Sequence, residues 1–201
     1  DPDGAWGGIQ PPWIYSLMAL YTEGYPIDHP VMFKGLDAWN HHWSYRRGDA
    51  IYIQASESIV WDTVLTLQAL LDCGETFETF PGMLKALDWI LSKQIFVKGD
   101  WAMTVKGVEC GGWAFERANR LYPDIDDTAV VMTVLARMLP IAPREYVPRI
   151  SYALKRAETW VRAMQSSNGG WGAFDKDNNK WFLTLIPFCD FGEILDPPSA
   201  D

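Results

Sequence analysis

Asp124-Ile125-Asp126-Asp127 puts three carboxylates within four residues, directly ahead of the apolar run Thr128-Ala129-Val130-Val131. Like charges that close cannot all ionise freely, so at least one of the three holds a proton. A retained carboxylic proton beside an aromatic-rich cavity is what acid-initiated chemistry on a hydrocarbon requires. Capping is the competing reading. Pro123 precedes the cluster, Thr128 to Leu139 reads as a helix, and aspartates at a helix start accept its free N–H groups and complement its dipole.

Aromatic residues at turns and helix starts are the second ingredient. Trp61 sits in Ser58-Ile59-Val60-Trp61-Asp62-Thr63, Phe115 in Gly112-Trp113-Ala114-Phe115-Glu116, and Phe174 in Gly172-Ala173-Phe174-Asp175. Taken singly, each is better explained as core. Taken with an acid, they could hold a carbocation: an aromatic face attracts a cation without offering a base. Aromatic walls also exclude the water that would quench it. Other chemistries fit less well. His29, His41 and His42 lie near one another, but no carboxylate or cysteine stands at a zinc spacing, and no metal site is expected. There is no Gly-x-Ser-x-Gly and no P-loop. An Asp-rich motif can also bind Mg²⁺ with a diphosphate. Arg117 and Arg120 are the nearest cations to the cluster, which weakens that alternative without closing it.

The elements that must position these residues read as helices throughout. Pro11-Pro12 opens a helix over Trp13 to Glu23, and Pro30 one over Val31 to Trp43. Ser58 can cap Ile59 to Leu71, which ends at Cys73-Gly74. Pro81 starts a helix reaching about Lys93. After Thr128 to Leu139, stopped by Pro140, comes Val147 to Met164 with Pro148 in its first turn. Residues 44–55 read as irregular, and no stretch reads clearly as a sheet. An imperfect repeat runs through the pattern. Ala86-Leu87-Asp88-Trp89 leads to Gln94, Gly99 and Trp101; Ala157-Glu158-Thr159-Trp160 leads to Gln165, Gly169 and Trp171; and Gly4-Ala5-Trp6 looks like the tail of another copy. These tryptophans read as structural, covering the turns that follow helices.

Composition bounds the reading. The 201 residues include 11 Trp, 8 Tyr and 9 Phe, more aromatic bulk than a small core needs. A net charge of −9 without a Lys/Arg cluster argues against nucleic acid as a partner. Cys73, Cys110 and Cys189 are far apart and odd in number, which fits a reducing compartment better than a disulfide framework. No signal peptide or run of 18 apolar residues is visible. The first residue is not Met and the sequence opens within a loop motif, so it reads as an internal stretch of a longer protein.

The sequence resembles the squalene–hopene cyclases, bacterial triterpene cyclases. The segments that carry the resemblance are Gly7-Gly8-Ile9-Gln10-Pro11-Pro12-Trp13, Gln54-Ala55-Ser56, Val60-Trp61-Asp62-Thr63 and Tyr122-Pro123-Asp124-Ile125-Asp126-Asp127-Thr128-Ala129-Val130. Gln165-Ser166-Ser167-Asn168-Gly169-Gly170-Trp171-Gly172, Ile186-Pro187-Phe188-Cys189-Asp190-Phe191-Gly192-Glu193 and Asp196-Pro197-Pro198-Ser199 extend it over essentially the whole length. The aspartate motif alone is shared with class II diterpene cyclases; the Pro-Phe-Cys-Asp-Phe-Gly-Glu segment and the Gln…Gly-x-Trp (QW) repeats make the match specific.

The resemblance implies an all-α fold, an α/α barrel or toroid of the terpenoid cyclase and prenyltransferase type, with QW repeats and incomplete here. Residues 1–56 would end the inserted barrel, and residues 57–201 would form the first part of the catalytic one. Asp126 matches the proton donor, Asp124 and Asp127 its flanking carboxylates, and Asp201 a carboxylate that supports the acid. Trp61, Phe115 and Phe174 match cation-stabilising aromatics, although the last is Tyr in some members. Ile9, Gln10 and Pro11 match the far end of the cavity, and Phe188 and Cys189 the constriction that admits substrate. A histidine that the family places shortly after Asp201, where it strengthens the acid, is not in this sequence. The implied activity is cyclisation of squalene to hopene and hopanol without metal or organic cofactor. The implied partners are squalene and a membrane surface, with a homodimer open. The implied location is peripheral, at the cytoplasmic face of the bacterial inner membrane. The 201 residues alone are expected to be inactive. Two other readings stay open: a class II cyclase of a prenyl diphosphate, and a non-catalytic helical repeat that binds a partner.

Overall fold

Proline and side-chain caps set the starts of the helices. In the computed structural model, which describes residues 4–116, 118–185 and 195–198, the elements run α1 (Gln10–Thr22), α2 (Pro30–His41), a hairpin of β1 (Ser44–Arg47) and β2 (Ala50–Ile53), α3 (Ile59–Asp72), α4 (Gly82–Lys93), α5 (Ile125–Met138) and α6 (Val147–Met164). Short 3₁₀ turns at Asp100–Met103, Leu139–Ile141 and Trp181–Leu185 complete the order. Proline lies in the first two positions of α1, α2 and α6, where its missing N–H has no helical partner to lose. The chain divides into two compact units, Asp1–Ile59 with Phe115–Asn119, and Val60–Ala114 with Arg120–Asp201.

Residues 44–55 correct the sequence-based expectation of irregular chain. Ser44 pairs with Ile53 and Arg47 with Ala50 in an antiparallel ladder, and Tyr45 stacks on Tyr52 at 5.4 Å. The turn residue Gly48 has φ +62°, the left-handed conformation that glycine tolerates. Both strands are largely exposed. No apolar alternation marks them in the sequence, because neither face is buried.

Within the first unit, α1 and α2 close on a tryptophan cluster. Trp13 and Trp43 are each 1% exposed, and Trp13 meets Trp39 at 4.4 Å and Trp43 at 4.9 Å between ring centres.

The second unit is built on helical periodicity. Met83, Leu87 and Ile90 of α4, Val131, Val134, Leu135 and Met138 of α5, and Ile150, Ala153 and Ala157 of α6 recur every three or four residues and form one buried cluster with Val60, Val64 and Leu67 of α3. A second cluster, including Ile95, Trp101, Cys110, Trp160 and Met164, lies under the first residue of α5, Ile125. Each fully buried large side chain contributes about 1.5–3 kcal/mol.

The loops that follow α4 and α6 are tied back by amides and indoles. Buried Gln94 donates to the carbonyls of Gly111 (2.7 Å) and Ala153 (2.9 Å). Gln165 donates to Gly169 O at 2.7 Å. The indole N–H of Trp171 donates to Val161 O, and that of Trp113 to Ile90 O, both at 2.8 Å. Ile90 follows Trp89 as Val161 follows Trp160, so the same carbonyl is capped in both segments. Trp171 therefore shares this role with Trp113; Trp101 packs edge-on against Trp160 at 5.9 Å instead.

Candidate active site

The three aspartates of the motif occupy the N-terminus of α5, which starts three residues earlier than the apolar run suggests. Asp124 is the N-cap, in extended conformation (φ −123°, ψ 161°), and its Oδ1 accepts the N–H of Asp127 at 2.7 Å. Asp126 and Asp127 lie in the first turn. Asp124 and Asp127 are buried, at 4% and 3% exposure, whereas Asp126 is exposed. The capping reading holds for Asp124, and the cap residue is itself a buried acid.

Local bonding explains why two of the three carboxyls are enclosed. The Asp124 N–H donates to Trp113 O at 2.9 Å, forming an antiparallel bridge. Thr128 Oγ donates to Asp124 O at 2.6 Å and accepts the Trp113 N–H at 2.9 Å. Gly112 permits this approach, since a Cβ there would lie 2.8 Å from both Thr128 Oγ1 and the Trp160 ring. With its own N–H taken by Trp113, Asp124 leaves Asp127 no donor for a reciprocal capping box. The Asp127 carboxyl is left without a capping partner and close enough to the Asp124 carboxyl for each to affect the other's protonation. Asp124 Oδ2 and Asp127 Oδ1 are buried with no N–H or hydroxyl donor directed at them. Burying both as charged groups without such donors is costly, which favours protonation of one of them.

The electrostatics agree. Burial first, and the charge of Asp127 second, push Asp124 up to about 8. Burial likewise pushes Asp127 up to about 6, opposed by its neighbour Asp124 and assisted by the charge of Asp126. At neutral pH the pair retains a proton, while Asp126 stands where a bound molecule could reach it.

The remaining candidates are distributed as follows. Trp61 is half-buried in the first turn of α3. Phe115 is half-buried at the start of Phe115–Asn119, in the first unit. Phe174 is 44% exposed, its ring edge-on to Tyr122 at 5.9 Å. Its loop is joined to the acid motif, because Ala173 O accepts the Ile125 N–H at 2.8 Å. Ile9, the N-cap of α1, bridges Ser56, Gln10 Nε2 donates to Gln54 O at 2.9 Å, and Pro11 is exposed. Phe188, Cys189 and Asp201 lie outside the described residues.

Four residues matter here that sequence reasoning did not single out. Thr128 locks the motif to Trp113, and Asp196 accepts three backbone N–H groups from the Phe174 loop. Tyr122 donates to Asp100 Oδ2 at 2.9 Å, and that bond is the first cause raising the phenol above its usual range. Glu116, 4% exposed, packs against Gly8 in the first unit. A cavity of about 410 Å³ opens between Trp101, Tyr122, Phe174, Asp100, Asp175 and Asp196. Among the described residues no three acid, histidine or cysteine side chains converge on a metal-sized site, and no helix is long and apolar enough to cross a membrane.

Comparison with known proteins agrees with this architecture. The model of the squalene–hopene cyclase C-terminal domain matches residues 57–201, and that of the N-terminal domain matches residues 1–47. Both place the chain in the class of helical terpenoid cyclases. The squalene–hopene cyclase of Alicyclobacillus acidocaldarius is 44% identical over 200 residues, which is 99% of this chain and 31% of that protein. Those of Schizosaccharomyces japonicus and Bradyrhizobium diazoefficiens are 40% and 41% identical, over 97% of this chain and 30% and 29% of their own lengths. The chain belongs to the squalene–hopene cyclase family, and it spans about 30% of the length of these curated relatives.

Proposed function

We propose that this chain is the acid-bearing part of a cyclase that converts squalene to hopene and, by capture of water, hopanol. The observation that carries this reading is the division of the aspartate motif. Asp124 and Asp127 are buried, each with one carboxyl oxygen that meets no donor, and Asp126 is the exposed member. Two enclosed carboxyls cannot reach a hydrocarbon. The exposed one can, so Asp126 is the donor and the buried pair shapes the field behind it.

In the reaction, the π electrons of a terminal double bond take the proton of the Asp126 carboxyl, leaving a carboxylate and a tertiary cation. Further double bonds attack in turn. The last cation either loses a proton, giving an isomer of the substrate, or takes up water. No metal or organic cofactor is required, since a side chain supplies the acid. Trp61, Phe115 and Phe174 serve as cation-stabilising faces. The family resemblance assigns Ile9, Gln10 and Pro11 to the end of the reaction, Phe188 and Cys189 to substrate entry, and Asp201 to support of the acid. The helices belong to an α/α toroid stitched by QW repeats, and the protein works at a membrane surface, where squalene is dissolved.

Incubating a full-length cyclase that contains this chain with squalene, and separately with geranylgeranyl diphosphate and Mg²⁺, tests the reading. Pentacyclic products from squalene support it. Turnover of the diphosphate alone would replace it with the diterpene-type alternative.

A further inference from the structure

The Asp196 carboxylate accepts three consecutive backbone N–H groups: Ala173 on Oδ1 at 2.8 Å, and Phe174 and Asp175 on Oδ2 at 2.5 and 2.6 Å. Its own N–H donates to Asn178 O at 2.9 Å, pairing residue 196 with the far side of the same loop. Gly172 is required for this approach: a Cβ there would lie 2.7 Å from Asp196 O and 2.8 Å from Asp196 Cγ. One carboxylate thereby fixes the whole turn with charge-assisted bonds, which are shorter and stronger than neutral ones.

The peptide unit between Ala173 and Phe174 is held at both ends. Its N–H belongs to Asp196, and its C=O accepts the N–H of Ile125 at 2.8 Å. A peptide unit is planar and rigid, so an orientation imposed at one end is imposed at the other. The Ile125 N–H is one of the first-turn donors that α5 cannot satisfy internally. Ile125 stands between Asp124 and Asp126.

We propose that Asp196 is a positioning residue for the acid motif, setting the first turn of α5 through the Ala173–Phe174 peptide. The inference rests on the reading of Asp126 as the proton donor. It adds a residue 70 positions further along the chain (196 − 126) to the parts on which protonation depends.

The test uses the full-length cyclase with Asp196→Ala, Asp196→Asn and Gly172→Ala, the last displacing the same contact from the opposite side. Two measurements are made on each: amide hydrogen exchange at Ile125, and kcat and KM for squalene across pH. Asp196→Ala should speed exchange at Ile125 by roughly tenfold while distant helix amides keep their protection. It should lower kcat by roughly 10- to 100-fold with KM within about twofold. Asp196→Asn, which keeps an acceptor oxygen, should recover part of the loss. Gly172→Ala should reproduce the defect and combine with Asp196→Ala less than additively. Unchanged Ile125 exchange in folded Asp196→Ala and Gly172→Ala proteins would overturn the proposal, as would an unchanged kcat. If the parent enzyme does not turn over squalene, the functional reading fails, and Ile125 exchange alone still decides whether Asp196 sets the helix start.

Discussion

Asp124 and Asp126 are two residues apart and occupy opposite environments, one enclosed under the helix start and the other exposed. Asp126→Asn should abolish squalene turnover in the full-length enzyme, because an amide cannot donate the initiating proton. Its fold should survive, since replacing an exposed first-turn charge costs only about 0.3–1 kcal/mol. Product analysis beside a melting curve checks both halves; near-normal product would contradict the assignment. Asp124 makes the opposite kind of prediction. Its folded-state acidity lies near 8, above the ordinary value of 3.8. The folded protein therefore binds more protons than the unfolded chain between these limits. The associated stability is fully present below about pH 4 and is lost as pH rises through the folded value. Asp124→Asn keeps the cap oxygen and should flatten the fall in stability between pH 6 and 8, measured by urea midpoints. Phe115→Ala should release partly cyclised products, since losing a desolvated aromatic face costs a passing cation roughly 0.5–2 kcal/mol. Slower formation of normal product alone would make Phe115 a packing residue. The crowding that raises Asp124 and Asp127 was legible in the spacing of the carboxylates. The assignment of enclosed and exposed members was not, because it depends on Trp113 taking the Asp124 N–H from eleven residues away (124 − 113).

Helix starts were the most legible elements. Proline and capping residues act locally, so Pro30 marks the first residue of α2, and α6 runs from Val147 to Met164 as the sequence suggests. The start of α5 was placed three residues late because apolar periodicity begins only at Thr128, whereas Asp124 caps and the acidic turn follows. The hairpin at Ser44–Ile53 escaped notice for a different reason: its clue is Gly48-Asp49 at the turn, with no buried face to add an apolar alternation. The pairing of Trp113 with Ile90 was also hidden, since it joins residues 23 apart (113 − 90) without a periodic signal. At this scale Gly112 is the most sensitive position. Gly112→Ala would push a methyl into Thr128 and Trp160, and overpacking of this kind costs about 1–3 kcal/mol. Chemical denaturation should show the loss; a variant as stable as the parent would mean that the loop can yield.

For the whole molecule, the relatives carry more than twice as much chain again beyond the matched part. Large apolar side chains such as Met18, Phe33, Met103 and Trp181 stand exposed among the described residues. Expressed by itself, the 201-residue chain should form no pentacyclic product from squalene and should self-associate through such surfaces. Gas chromatography of the extract and light scattering check this, and clean conversion by a monomer would refute it. The clamp at Asp196 also has a consequence for biosynthesis on the ribosome. The carboxylate that orients the Ala173–Phe174 peptide is translated 22 residues after Phe174 (196 − 174) and 71 after Ile125 (196 − 125). At the pace of translation, about 5–20 residues per second, the aspartate motif leaves the tunnel several seconds before that carboxylate. During that interval a nascent chain carries the acidic sequence without its finished geometry, so assembly of the acid motif is a late event in the life of the emerging polypeptide.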